Sequence, residues 1–135
     1  MRATRLAALL LLAGMLPMAA LAQPTTASRP HLYELISREP YRSTWNRLIA
    51  PVLKNDRWLK GARGVWVVVP PAVLNGVHVN VYVLCKPTGC AHGRISAIFE
   101  AGGHRAYGAF LNAAGTQILG SPPAAEQRAL LTALR

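Results

Sequence analysis

The chain has 135 residues, 52% of them apolar, and 15 basic residues against 5 acidic ones give it a formal net charge of +10. That length accommodates one compact domain with a modest core and leaves no room for a second. The charge favours acidic partners, yet the arginines (Arg38, Arg42, Arg47, Arg57, Arg63, Arg94, Arg105) are scattered and form no stripe interleaved with aromatics, so no nucleic-acid partner is expected.

Arg2 and Arg5 precede an apolar run from Leu6 to Leu21 that ends in Ala20-Leu21-Ala22, the layout of a secretory signal peptide cleaved after Ala22. The run is shorter than the roughly 20 residues of a spanning helix, and Gly14 and Pro17 interrupt it, so it does not read as a membrane anchor. Cleavage leaves 113 residues and a net charge of +8, because the signal carries only its two arginines. Export of this kind places the two cysteines where a disulfide can form and persist. No later segment is long and apolar enough to span a bilayer, so the mature domain is expected not to be membrane-embedded.

Gln23 to Pro30 is polar and proline-bearing and reads as a flexible leader, followed by a single domain over 31–135. Leu32, Leu35 and Ile36 recur at helical spacing, Pro40 interrupts, and Tyr41 to Val52 resumes with Trp45, Leu48, Ile49 and Val52 on one face. Pro51 is expected to fray that second helix. Val65 to Val69 predicts a first strand, stopped by Pro70-Pro71. Val77 to Leu84 alternates, which predicts a second strand whose core face is Val77, Val79, Val81 and Val83.

Arg94 to Glu100 and Arg105 to Leu111 predict a hairpin about Gly102-Gly103, and Thr116 to Leu119 a fifth strand. Ser121 is placed to cap a last helix with Pro122 in its first turn and Leu130, Leu131 and Leu134 along one side. Short connections imply an antiparallel meander with helices over one face, an α+β fold.

Between the second and third strands lies Cys85-Lys86-Pro87-Thr88-Gly89-Cys90, which holds the only two cysteines. The segment reads as a small rigid ring held out from a sheet, a shape suited to insertion into another molecule. A lone disulfide between neighbouring strand ends is also an ordinary structural staple. The Cys-x4-Cys spacing is not that of thioredoxin-type redox sites, and His78, His92 and His104 make no familiar zinc spacing with the cysteines. No metal and no cofactor is therefore expected.

The export signal, the order of elements and the hexapeptide together resemble the Ivy family, periplasmic inhibitors of vertebrate-type lysozyme. The resemblance covers residues 31–135, with Cys85, Lys86, Pro87 and Cys90 as its most specific part. It implies a periplasmic location, a five-stranded antiparallel sheet with helices on one face and a disulfide-closed protruding loop that enters the active-site cleft of a muramidase. In that family the loop reads Cys-Lys-Pro-His-Asp-Cys, and its histidine hydrogen-bonds the two catalytic carboxylates. Here Thr88 stands in the histidine's place and Gly89 in the aspartate's.

A Cys85–Cys90 bond closing six residues contributes about 2 kcal/mol by loop entropy and fixes the loop's shape before binding. Thr88 offers one hydroxyl donor where a protonated imidazole offers two donors and a charge. Loss of a charge-assisted bond in a closed cleft costs about 1.5–3 kcal/mol, or roughly 10- to 100-fold in affinity, so weakened inhibition of vertebrate lysozyme is expected. Lys86 is placed to extend its charge toward a carboxylate, and His92, two residues past Cys90, to supply an imidazole the loop lacks.

The implied partner is a c-type lysozyme or a lytic transglycosylase. Family members also form homodimers, although no residue here identifies a dimer face. The alternative reading is a non-inhibitory paralogue whose basic surface binds peptidoglycan or other anionic envelope polymers. Glu34, Glu39, Asp56, Glu100 and Glu126 form no recognisable pair for glycoside hydrolysis, and no nucleophile elbow or phosphate loop is present, so a binder and not an enzyme is expected.

Overall fold

The structure, a computed structural model, describes residues 29–135, so the expected signal peptide and most of the expected leader lie outside the described residues. Arg29, in the stretch read as leader, donates from its guanidinium to the carbonyls of Val69 and Val81 at 2.9 Å each. Among the described residues no helix is long and apolar enough to cross a membrane.

Helix α1 (Leu32–Leu35) buries both its leucines, and the Glu34 carboxylate accepts the His31 backbone N–H at its start. Pro40, joined to Glu39 by a cis peptide, separates it from α2 (Tyr41–Leu53). The buried face of α2 is Thr44, Trp45, Leu48, Ile49 and Val52, an apolar stripe at helical period. The fraying expected at Pro51 does not occur: the helix runs on to Leu53, because a proline in the last turn removes only one hydrogen bond. A 3-10 segment, Arg57–Ala62, follows and is broken at Gly61.

Seven strands come next: β1 (Val65–Val67), β2 (Ala72–Leu74), β3 (Val77–Val79), β4 (Tyr82–Cys85), β5 (Arg94–Phe99), β6 (Ala106–Asn112) and β7 (Gly115–Leu119). Five of them form one antiparallel sheet in the order β1-β4-β5-β6-β7. This is the five-stranded α+β architecture that the sequence predicts. Helix α3 (Ala124–Ala133) closes the chain.

Three details differ from the expectations. The run Val77 to Leu84 is two strands, because β3 turns back on β2 as a separate ribbon through Asn75 (φ 51) and Gly76 (φ 78). Both central residues at positive φ make the right-twisted two-residue turn that Asn-Gly favours. Val77, expected in the core, is 62% exposed on that ribbon.

The sheet, secondly, is covered on both faces. Tyr82, Leu84, Ile95, Ala97 and Phe110 pack with α1 and α2, whereas Val81, Val83, Ile98, Tyr107 and Ala109 pack with Leu130 and Leu134 of α3. The buried Ser96 hydroxyl donates to the Leu130 carbonyl at 2.8 Å and pins α3 to its face. All four residues of β4 are buried, so its alternation separates two cores instead of core from solvent.

Thirdly, α3 begins after Pro123 and not at Ser121. A residue preceding proline is pushed out of the helical region, so Pro122 cannot be helical before Pro123.

The β5–β6 hairpin turns on Gly102 (φ 86) and Gly103 (φ 77), as the sequence predicts. A Cβ on Gly103 would sit 2.5 Å from the Tyr41 ring. Gly103→Ala is expected to lower stability by about 2 kcal/mol or more, from the left-handed backbone and the collision together, read as a lower denaturant midpoint.

Two phenols carry a pH dependence. Burial holds the Tyr82 phenol above its ordinary range, and the hydrogen bond that Tyr107 donates to Glu100 does the same for Tyr107. A folded-state pKa raised above the unfolded value of about 10 gives stability that is complete below that pH and lost as pH rises through the folded value. Phenolate absorbance from these two residues is expected to appear above pH 10 together with loss of far-UV dichroism; ordinary ionisation of every tyrosine with structure retained would contradict this.

Candidate functional site: a disulfide ring at one pole of the sheet

Because the meander alternates direction, the β4–β5 and β6–β7 connections lie at one pole and the β5–β6 hairpin at the other. At the first pole Cys85 ends β4 directly opposite Arg94, the first residue of β5. The intervening residues contain the ring, and Cys85 and Cys90 are disulfide-bonded with their Cα atoms 4.6 Å apart.

Backbone hydrogen bonds hold the connection from within. Gly89 N–H donates to the Lys86 carbonyl at 2.9 Å, His92 N–H to the Gly89 carbonyl at 3.1 Å, and Lys86 N–H to the Gly93 carbonyl at 2.8 Å. Gly89 sits at φ 128, where L side chains are strained. The ring is thus shaped before any partner arrives.

Pro87, Thr88, Cys90, Ala91 and His92 are exposed, Lys86 and Gly89 are half-buried, and Cys85 is buried. The His92 ring carbon Cδ2 lies 3.6 Å from where a Cβ on Gly89 would be, which puts the imidazole against the flank of the ring. His31 precedes α1, His78 is exposed on β3, and His104 lies in the far hairpin, so only His92 among the histidines stands beside the ring.

A support beneath the ring is not visible in the sequence pattern. Trp58, from the 3-10 segment, runs under its base and approaches the bare α-carbons of Gly64 and Gly93: a Cβ there would be 2.9 Å and 3.6 Å from the indole. At Gly64 a Cβ would also fall 2.2 Å from the Cys85 carbonyl oxygen, so glycine is required for this close approach. Trp58 Nε1 donates to Asp56 Oδ1 at 3.0 Å, and Lys86 Nζ stands 4.0 Å from the same oxygen. Lys86 therefore turns its ammonium back to Asp56 in the free domain. At 4.0 Å the contact is at the outer limit of an ion pair, between a half-exposed ammonium and a buried carboxylate.

Electrostatically this pole is one-sided. No carboxylate occurs in residues 57–99, and Lys86, His92 and Arg94 are the ionisable side chains of residues 85–94. Asp56 is buried below, its side chain 7% exposed. Among the described residues no group of three or more His, Cys, Asp or Glu is placed to hold a metal ion. Such a surface can enter an acidic recess and offer hydroxyl, imidazole and ammonium donors to it.

Comparison with protein-family models finds no match for this chain, and comparison with curated proteins finds none either.

Proposed function

We propose that this protein is a periplasmic inhibitor of the Ivy type, which binds a muramidase by inserting the Cys85–Cys90 ring into its acidic active-site cleft. The observation that carries the reading is a preformed, carboxylate-free ring, exposed at Pro87, Thr88 and His92, and braced from below by Trp58. Preorganisation lowers the entropy lost on binding, and complementary charge favours a cleft whose catalytic groups are carboxylates. The resemblance of Cys85, Lys86, Pro87 and Cys90 to the family's loop supports the same target class.

Each exposed group then has a role. Thr88 donates its hydroxyl to a catalytic carboxylate, and His92 supplies an imidazole from the flank of the ring. Lys86 extends from Asp56 toward a carboxylate of the target, while Trp58 keeps its hydrogen bond to Asp56. Pro87 and Gly89 set the backbone path. The chain performs no reaction of its own.

The test is a titration of the oxidised domain from Gln23 onward into a c-type lysozyme acting on labelled cell walls, alongside a soluble lytic transglycosylase. Stoichiometric, saturable inhibition of either enzyme is the expected result. No inhibition of either at high micromolar concentration contradicts the proposal.

A further inference from the structure

Between α3 and the β2–β3 ribbon lies a groove of about 520 Å³. Val69, Pro70 and Pro71 form one wall together with β2, and α3 forms the other. We infer that this groove binds one long-chain fatty acid, its hydrocarbon chain laid along the apolar walls and its carboxylate held by Arg128 and Thr132.

The gap follows from how α3 is seated. Leu130 and Leu134 are buried against the sheet, and the Ser96 hydroxyl donates to the Leu130 carbonyl. The side of α3 turned to the ribbon carries Ala125, Ala129 and Ala133, whose methyl groups leave the space open. The lining runs along the helix from Ala125 to Arg135, about 15 Å at 1.5 Å per residue, so the space is elongated and suits a linear chain.

The walls suit hydrocarbon. Proline brings no N–H, and the carbonyls of Val69 and Val81, both groove residues, already accept the Arg29 guanidinium at 2.9 Å each. An apolar chain therefore leaves neither carbonyl unsatisfied when it covers them. Val73, also on the groove, is 59% exposed, so apolar surface stands in water until an occupant covers it.

The rim favours a negative head. Arg128 and Thr132 are i,i+4 neighbours on α3 and both line the groove, so a guanidinium and a hydroxyl are placed to donate to one carboxylate. No carboxylate side chain lines the groove, and Glu126, two residues before Arg128, projects from a different side of the helix. Among the described residues the ion pairs are Arg42–Glu39 and Lys86–Asp56, which leaves Arg128 without a carboxylate. One elongated groove with one head site takes a single chain, whereas a two-chain phospholipid would leave its second chain in water.

The experiment is a calorimetric and NMR titration of the domain with laurate below its micelle concentration, beside decanoate and dodecyltrimethylammonium. Saturable one-to-one binding of laurate is expected, with shifts of the Val73, Ala125 and Ala129 amides. Laurate is expected to bind roughly 10-fold more tightly than decanoate, which is two methylenes shorter, and the cation of equal chain length more weakly than laurate. Arg128→Gln, at an exposed position, is expected to weaken laurate roughly 10-fold and to leave the cation unaffected, whereas Arg38→Gln, exposed before α2, binds as the parent does. Ala129→Phe, its fold checked by urea unfolding, fills the groove and is expected to abolish binding. No saturable binding, equal affinity for laurate and the cation, or Arg128-dependent sedimentation with phosphatidylglycerol vesicles in place of laurate binding overturns the inference. So does a dimer of the free domain that Ala129→Phe dissociates, since a second copy then fills the groove. The groove lies by Val81 at the start of β4 and the ring at its end, so Thr88→Ala leaves the laurate titration unchanged and the two proposals fail independently.

Discussion

Thr88→His is expected to strengthen inhibition of a c-type lysozyme by roughly 10- to 100-fold, the value of about 1.5–3 kcal/mol for a charge-assisted hydrogen bond in a closed cleft. Position 88 is exposed at the tip of the ring and its backbone is already fixed by the disulfide and the Gly89-to-Lys86 hydrogen bond, so the new imidazole arrives without reordering the loop. The family's loop also carries an aspartate after the histidine, but the backbone here opposes it. Gly89 lies at φ 128 with the His92 ring beside it, so Gly89→Asp strains the ring and crowds His92. The single change is therefore expected to inhibit more strongly than the double change Thr88→His, Gly89→Asp. Inhibition constants for the parent and both variants decide this, and a double variant that outperforms the single one contradicts the assigned ring geometry. Like charge on the domain and on basic lysozymes slows association at low salt, so the comparison belongs at physiological ionic strength.

Trp45→Ala is expected to destabilise the domain by about 3–5 kcal/mol, a large share of the roughly 5–15 kcal/mol that holds a domain together. Trp45 is fully buried between α2 and the sheet, and its indole N–H donates to the Leu59 carbonyl at 3.0 Å. That bond fastens the segment carrying Trp58, the support beneath the ring. Trp45→Phe keeps most of the apolar volume and removes the bond, with an expected loss of about 1–3 kcal/mol for the unsatisfied carbonyl and the smaller ring. Urea unfolding measures both. If Trp45→Phe binds its target as tightly as the parent while less stable, the fastening of Trp58 is a matter of stability alone; a matched loss of affinity ties the core to the ring.

Local signals in the sequence were sufficient for the five-stranded sheet, the Gly102-Gly103 hairpin and the isolated cysteine pair, because each depends on neighbours in the chain. The β2–β3 ribbon also had a local signal, Asn75-Gly76, masked by the uninterrupted alternation from Val77 to Leu84. The second covered face was not legible from β4, where Val83 on one face and Tyr82 and Leu84 on the other are all apolar enough to be buried. The support of the ring is a property of tertiary contact: nothing in the chain between Asp56 and Cys85 announces that Trp58 will cross Gly64 and Gly93, or that Lys86 will fold back on Asp56. The start of α3 was legible in principle, since Pro122 and Pro123 together place it two residues later.

Competition is the most direct test of the claim that the ring occupies a catalytic cleft. The affinity of the oxidised domain for a c-type lysozyme would be measured by calorimetry with and without a saturating chitooligosaccharide that fills that cleft. Mutually exclusive binding, together with loss of binding in Cys85→Ala, Cys90→Ala, is the predicted result. An affinity unchanged by the oligosaccharide, or retained when both cysteines are replaced, would place the contact elsewhere and contradict the account.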